Sequence, residues 1–254
     1  MMKPLILIIS LVCSSFVSFA ENAPLPEGPA LMQQVREQLP PMPLRLNGFI
    51  RTRKGKVQFD RRLVTELHFG DAIPYASYTL SDTFGDLITK VQVSWPAGVP
   101  TFTQWDAEGN VMSAPAPGDQ VADTGLTWSD LALDFLWWPG AEVEGREMVK
   151  SRNAFIVHIP APEGSEDFAQ VKLRIDERAL FIVRAELHDA GGKLLKEIEV
   201  DSIKKVREDF WMVKDLIIKD KINKSHMGIR FEEVVELDIG EGIKDKRESI
   251  IVEE

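Results

Sequence analysis

Cysteine is almost missing from this sequence: Cys13 stands alone among 254 residues. A single thiol excludes a disulfide framework and any cysteine-based metal centre. Positive charge is in deficit. There are 30 Lys and Arg against 40 Asp and Glu, a formal net charge of −10. Nucleic-acid binding needs a basic face to neutralise phosphates, so that class is excluded. Long apolar runs are absent beyond the first twenty residues, so no later segment qualifies as a membrane helix. Histidine is scarce, and His68, His158, His188 and His226 share no metal-ligand spacing. No Gly-x-Ser-x-Gly elbow, phosphate-binding Walker loop or dinucleotide glycine pattern occurs. The expectation is a protein with no catalytic residue, no metal and no cofactor, not an enzyme.

The first twenty residues read as an export signal. Lys3 supplies the positive end, and Leu5 to Val12 form an apolar run too short to span a bilayer. Ser18-Phe19-Ala20 places small residues at the positions a signal peptidase needs, with Glu21 following. Cys13 falls inside the apolar run, and the residue before it is Val12 rather than the small residue expected at a lipid-attachment site. The reading is a signal peptide over 1–20, cleaved after Ala20, and a soluble exported chain over 21–254. That leaves 254 − 20 = 234 residues, and removing Lys3 gives −10 − 1 = −11. At 44% hydrophobic, the chain can build a packed core.

The rest of the chain is dominated by alternation. Leader residues 21–30 give way to Leu31, Val35 and Leu39 at i, i+4 and i+8, a short helix over 29–39 ended by Pro40, Pro41 and Pro43. From Leu44 the period becomes two, and about ten strands follow, joined by turn signals such as Lys54-Gly55, Asp82 to Asp86 and Asp189 to Gly192. Short connections make the pairs antiparallel. Residues 113–126 read as a loop. Thr127 and Asp130 then form a capping pair for a helix running to Trp138, with Trp128, Leu131, Phe135 and Leu136 on one stripe. Two helices are too few for crossovers between parallel strands. The pattern predicts a mainly β (α+β) fold: a strongly curved antiparallel sheet forming an unclosed barrel, with helices laid over its concave face. Alternation places Leu46, Ile50, Phe59, Leu67, Val91, Trp95, Phe155, Val157, Leu173, Val183 and Ile229 on the inner face. The tail 240–254 is charged and has no clear period.

Between 127 and 238 the residues carry a resemblance. Leu126-Thr127-Trp128-Ser129-Asp130-Leu131 opens a helix, and Gly145-Arg146-Glu147 follows it. Val171-Lys172-Leu173-Arg174-Ile175-Asp176 is a strand ending in aspartate. Ala185 to Lys196 form a hairpin, and Phe210-Trp211-Met212-Val213-Lys214 a Trp-containing strand. Together with Tyr78 to Gly85, this resembles the LolA-like family of periplasmic outer-membrane lipoprotein-sorting proteins. The resemblance implies a half-barrel that carries acyl chains in its cavity. It implies as partners an acyl lipid or lipoprotein, and inner- and outer-membrane sorting components, for a monomer. The arginine-proline-aromatic segment of the well-known carriers is absent here, so their lid arginine has no counterpart by motif. The expected cavity and lid residues are Trp95, Trp128, Leu131, Phe135, Leu136, Trp138, Phe155, Val157, Leu173 and Val183. The alternative is a structural or interaction protein of the envelope whose barrel is filled by its own side chains.

Overall fold

A computed structural model describes residues 24–163, 165, 168–207, 210–237 and 249–251. The leader 1–20 and most of the tail 240–254 lie outside the described residues. Thirteen strands form one antiparallel sheet. In chain order they are β1 (Leu44–Lys54), β2 (Val57–His68), β3 (Tyr75–Ser81), β4 (Leu87–Ser94), β5 (Thr101–Trp105), β6 (Glu142–Val149), β7 (Arg152–Pro160), β8 (Gln170–Asp176), β9 (Ile182–His188), β10 (Leu194–Lys205), β11 (Trp211–Asp220), β12 (Ser225–Glu236) and β13 (Ser249–Ile251). The spatial order is β5-β4-β3-β2-β1-β12-β11-β10-β9-β8-β7-β6, and β13 pairs with β12 beside it. The sheet does not close: β5 and β6 are its two edges.

Neighbouring strands along this path are consecutive in the chain everywhere except at β1–β12, its one long-range seam. The hairpins follow from turn chemistry. Asp82 Oδ1 accepts the backbone N–H of Phe84, Gly85 and Asp86 at 2.8–2.9 Å. Asp189 does the same for Gly191 and Lys193. A carboxylate that satisfies several turn N–H groups is a turn former, and this fully accounts for Asp82. The seam has one tight point. A bulge falls between Asn47 and Gly48, and a Cβ at Gly48 would stand 2.0 Å from the Arg230 carbonyl oxygen.

Two helical segments cross the inner face. Helix α1 (Gly28–Glu37) buries Leu31, Met32 and Val35. It starts hard against the chain at Ala141, whose carbonyl oxygen would lie 1.9 Å from a Cβ at Gly28. Helix α2 is only Trp128–Ala132 and does not run on to Trp138 as the sequence spacing predicts. Leu133 adopts the left-handed conformation (φ 47°, ψ 45°), and a 3₁₀ turn follows over Asp134–Trp137. A branched residue in this region is strained and needs its surroundings to hold it. The apolar band here was too wide for one helical stripe, and the break solves that problem: Leu131, Ala132, Leu133, Phe135 and Leu136 all reach the same cavity.

Strand β6 departs from the expectation too. It was not foreseen because a bulge between Val143 and Gly145 interrupts its alternation. One main core cluster joins the helices to the inner face, from Ile50 and Leu63 across Val91, Val157 and Leu173 to Ile218 and Ile229. Segment 113–126 is largely irregular and mostly exposed, as expected of a loop, but Val121, Thr124 and Leu126 are fully buried and anchor its end in the core.

Candidate functional site

The open sheet encloses an apolar cavity of about 270 Å³ between the helical segments and strands β1, β2, β9, β10, β11 and β12. Helix α1 and the residues just after it contribute Val35, Leu39 and Pro40. The broken second helix contributes Leu131 to Leu136. The sheet contributes Leu46, Leu63, Leu67, Ala185, Ile198, Leu216, Ile229 and Phe231. Concave apolar spaces of this kind are the usual ligand sites of proteins, though this one is at the small end.

The cover is fastened by polar contacts at three places. Thr127 and Asp130 form the capping box foreseen from their spacing. The Asp130 amide donates to Thr127 Oγ1 at 3.3 Å, and the Thr127 amide donates to Asp130 Oδ2 at 2.8 Å. Asp130 does more than cap. Lys196 Nζ, from β10, donates to both its carboxylate oxygens at 2.8 and 2.6 Å. The Asp130 side chain is 1% exposed and that of Lys196 12%, so this is a buried ion pair tying the helix to the sheet. Tyr78, on β3, donates its hydroxyl to the Leu131 carbonyl at 2.8 Å, and full burial pushes its phenol above the ordinary range. Arg36, on α1, donates to the Leu136 carbonyl at 2.9 Å with its guanidinium 5.7 Å from the Trp137 ring centroid. Burial lowers its pKa from the ordinary arginine value.

The structure sorts the expected site residues into three groups. Leu131, Phe135 and Leu136 line the cavity. Trp95, Trp128, Trp138, Val157 and Leu173 are buried in the main core, and Phe155 packs at its margin, but none borders the open space. Trp95 stacks on Trp137 at 5.4 Å, and Trp138 stands edge-on to Phe135 at 6.5 Å. They support the lining residues from behind. Val183 is the exception to the alternation. The β8–β9 register slips so that Ile175 faces Ile182 while Arg174 faces Arg184. That bulge sends Ile182 to the cavity and leaves Val183 in a separate small cluster with Val149 and Ala154. Of the wider inner-face set, Leu46, Leu67 and Ile229 line the cavity. Phe59 is half-buried under the Arg61 guanidinium, outside the core clusters.

Several lining residues had no sequence signal strong enough to mark them. Leu180, Phe181 and Ile182 sit at a turn and strand start, and Phe210 to Val213 where β11 is irregular. Lys196 could be found only from the fold, because its partner is 66 positions away. Among the described residues, no cluster of three or more metal-ligating side chains exists, and no helix is long and apolar enough to cross a membrane.

A family model described only as an uncharacterized protein matches residues 110–246, more than half of the chain, and the chain belongs to that family. No curated protein matches it. Three solved structures share its architecture. A DUF1329 family protein from Desulfovibrio piger has a TM-score of 0.72 at 17% identity, covering 84% of this chain and 92% of the other. An outer membrane lipoprotein-sorting protein domain from Vibrio parahaemolyticus has 0.71 at 10% identity, covering 86% and 94%. A LolA superfamily protein from Nitrosomonas europaea has 0.67 at 11% identity, covering 85% and 96%. At these identities the likeness establishes the fold: a LolA-like open barrel.

Proposed function

We propose that the chain is an exported, non-enzymatic carrier or binder of acyl chains, working in the periplasm in lipid or lipoprotein sorting to the outer membrane. The observation that carries this reading is the uncovered apolar cavity beneath the helical cover. A barrel built only as a scaffold would fill that space with its own side chains, as this one does around Val157 and Leu173. Leaving apolar wall uncovered forgoes roughly 25 cal/mol per Å², so a retained cavity argues for a ligand. The mechanism is transfer of apolar surface: each acyl CH₂ taken from water contributes about 0.8 kcal/mol. The LolA-like fold and the export signal read from residues 1–20 point the same way. The partners are an acyl lipid or lipoprotein together with the membrane components that load and unload it, and the carrier acts as a monomer over residues 21–254.

The test is displacement of a fluorescent fatty acid from the folded protein. Leu67 and Leu216 line the cavity and are only half-buried, so Leu67→Trp and Leu216→Trp add bulk into free space. Both variants are expected to fold and to lose binding. If the wild-type protein binds no amphiphile, the scaffold reading replaces this one.

A further inference from the structure

We infer that the amphiphile this cavity takes carries an anionic head group, held at the cavity mouth by Lys205 and Lys214. The inference rests on the acyl-binding reading above and names the class of ligand.

The mouth is located by two observations. Trp211 lines the cavity and is nevertheless 56% exposed. Near it, β11 parts from β12: their pairing runs from Asp220↔Ser225 only to Asp215↔Arg230, and residues 211–213 pair with β10 alone among the described strands. The parting leaves a shallow cleft that shares Met212 and Phe231 with the cavity wall. Lysines 204, 205 and 214 border this cleft with Val206 and Val234. The register places Lys204 opposite Met212 and Lys205 opposite Trp211. An apolar path therefore leads from the cavity to a cleft walled in part by lysine stems, whose ammonium groups lie at its rim.

Charge makes the arrangement selective. The chain as a whole is at −10 and repels anions. Along the sheet many cations are already spent on carboxylates: Lys219 on Glu197 and Glu199, Arg174 on Glu147 and Glu186, Lys172 on Glu144. At the mouth, Asp215 already accepts from Ser202 and Arg230, and Glu236 pairs with Arg207. Lys205 and Lys214 have no ion-pair partner among the described residues. Lys205 and Lys214 border one cleft, and an anion between two like charges relieves their mutual repulsion. An ammonium on a flexible stem also suits a head group of variable position better than a rigid fork would. Carboxylate and phosphate share this chemistry.

The experiment compares three amphiphiles of one chain length on the folded full chain: a fatty acid, a lysophosphatidylglycerol and a neutral monoacylglycerol. The variants are Lys205→Gln/Lys214→Gln and Lys205→Arg/Lys214→Arg, with melting measured for each. Wild-type protein is expected to favour the two anionic amphiphiles, and the preference should shrink as salt rises. The double Gln variant should keep its melting temperature, lose roughly tenfold in anionic affinity and leave the neutral affinity unchanged. The double Arg variant should keep the preference. A preference for only one anion assigns the head group as carboxylate or phosphate. Equal binding of all three by wild type, or an unchanged preference in the double Gln variant, overturns the inference while the acyl-binding reading stands. Binding of none of the three overturns both.

Discussion

At one end of the barrel, Thr52 donates its hydroxyl to the Thr124 carbonyl at 2.7 Å, and Thr124 turns its own hydroxyl to the Val121 carbonyl at 2.7 Å. Val121, Thr124 and Leu126 are completely buried there. At the other end, Leu46, Phe210 and Phe231 face open space, and Trp211 is half in solvent. The same strands supply both ends. Strand β1 contributes Thr52 to the sealed end and Leu46 to the open one; β12 contributes Met227 and Phe231 in the same way. The difference lies in what covers them. Segment 113–126 is long enough to fold back into the sealed end, where its own backbone and Thr52 of β1 satisfy its buried polar groups. Among the described residues, the open end is bordered by the last turn of α1, the proline after it and the broken second helix, which leave the cavity unfilled. The molecule is thus half scaffold and half container.

The contrast can be broken most strongly at the lid. Phe135 is 2% exposed and lines the cavity. Phe135→Ala should cost about 3–5 kcal/mol in chemical denaturation and weaken fatty-acid retention as well. A variant matching wild type in both would remove this residue from the lid. Lys196→Met comes next. It leaves Asp130 buried without its charge partner, a loss of about 3 kcal/mol. Lys196→Met/Asp130→Asn should recover most of that stability, because the asparagine amide oxygen can still accept the Thr127 N–H of the capping box; calorimetry on both variants decides it.

A smaller effect sharpens the contrast from the sealed end. Thr52→Val deletes the donor to the buried Thr124 carbonyl and should cost about 1–3 kcal/mol. Its fatty-acid affinity should equal that of wild type, since no cavity wall is touched. An affinity loss as large as that of Phe135→Ala would mean the two ends are coupled.

The smallest effect is a pH dependence that both ends share. Asp220 sits in the β11–β12 turn, where its carboxylate accepts the amides of Ile222 and Asn223 at 2.8 Å. Asp176, at the end of β8, accepts those of Arg178 and Ala179 and pairs with Arg152. Burial alone would raise both carboxyls, but these contacts prevail and hold them below the ordinary 3.8. A carboxyl depressed in the fold stabilises it above its ordinary value. That contribution is lost as pH falls through the depressed one. Melting temperature should therefore fall below about pH 4, and Asp220→Asn should flatten part of the fall.

Alternation along single strands, turn chemistry at Asp82 and Asp189, and the Thr127–Asp130 cap are local, and each could be read from neighbouring residues. They determined the antiparallel curved sheet, the presence of a helical cover and its starting point. Local reading failed where the backbone leaves its period. The bulge between Val143 and Gly145 hid β6, the β8–β9 slip exchanged Val183 for Ile182, and Leu133 broke a helix that its side chains alone would have continued. It also could not choose which inward residues meet one another and which meet empty space. Val157 and Leu46 have the same pattern in sequence, yet one is packed solid and the other lines the cavity. That choice belongs to tertiary structure, because the cover over each stretch of inner face comes from segments far away in the chain. The Lys196–Asp130 pair fastening the cover is likewise a contact that no periodicity encodes.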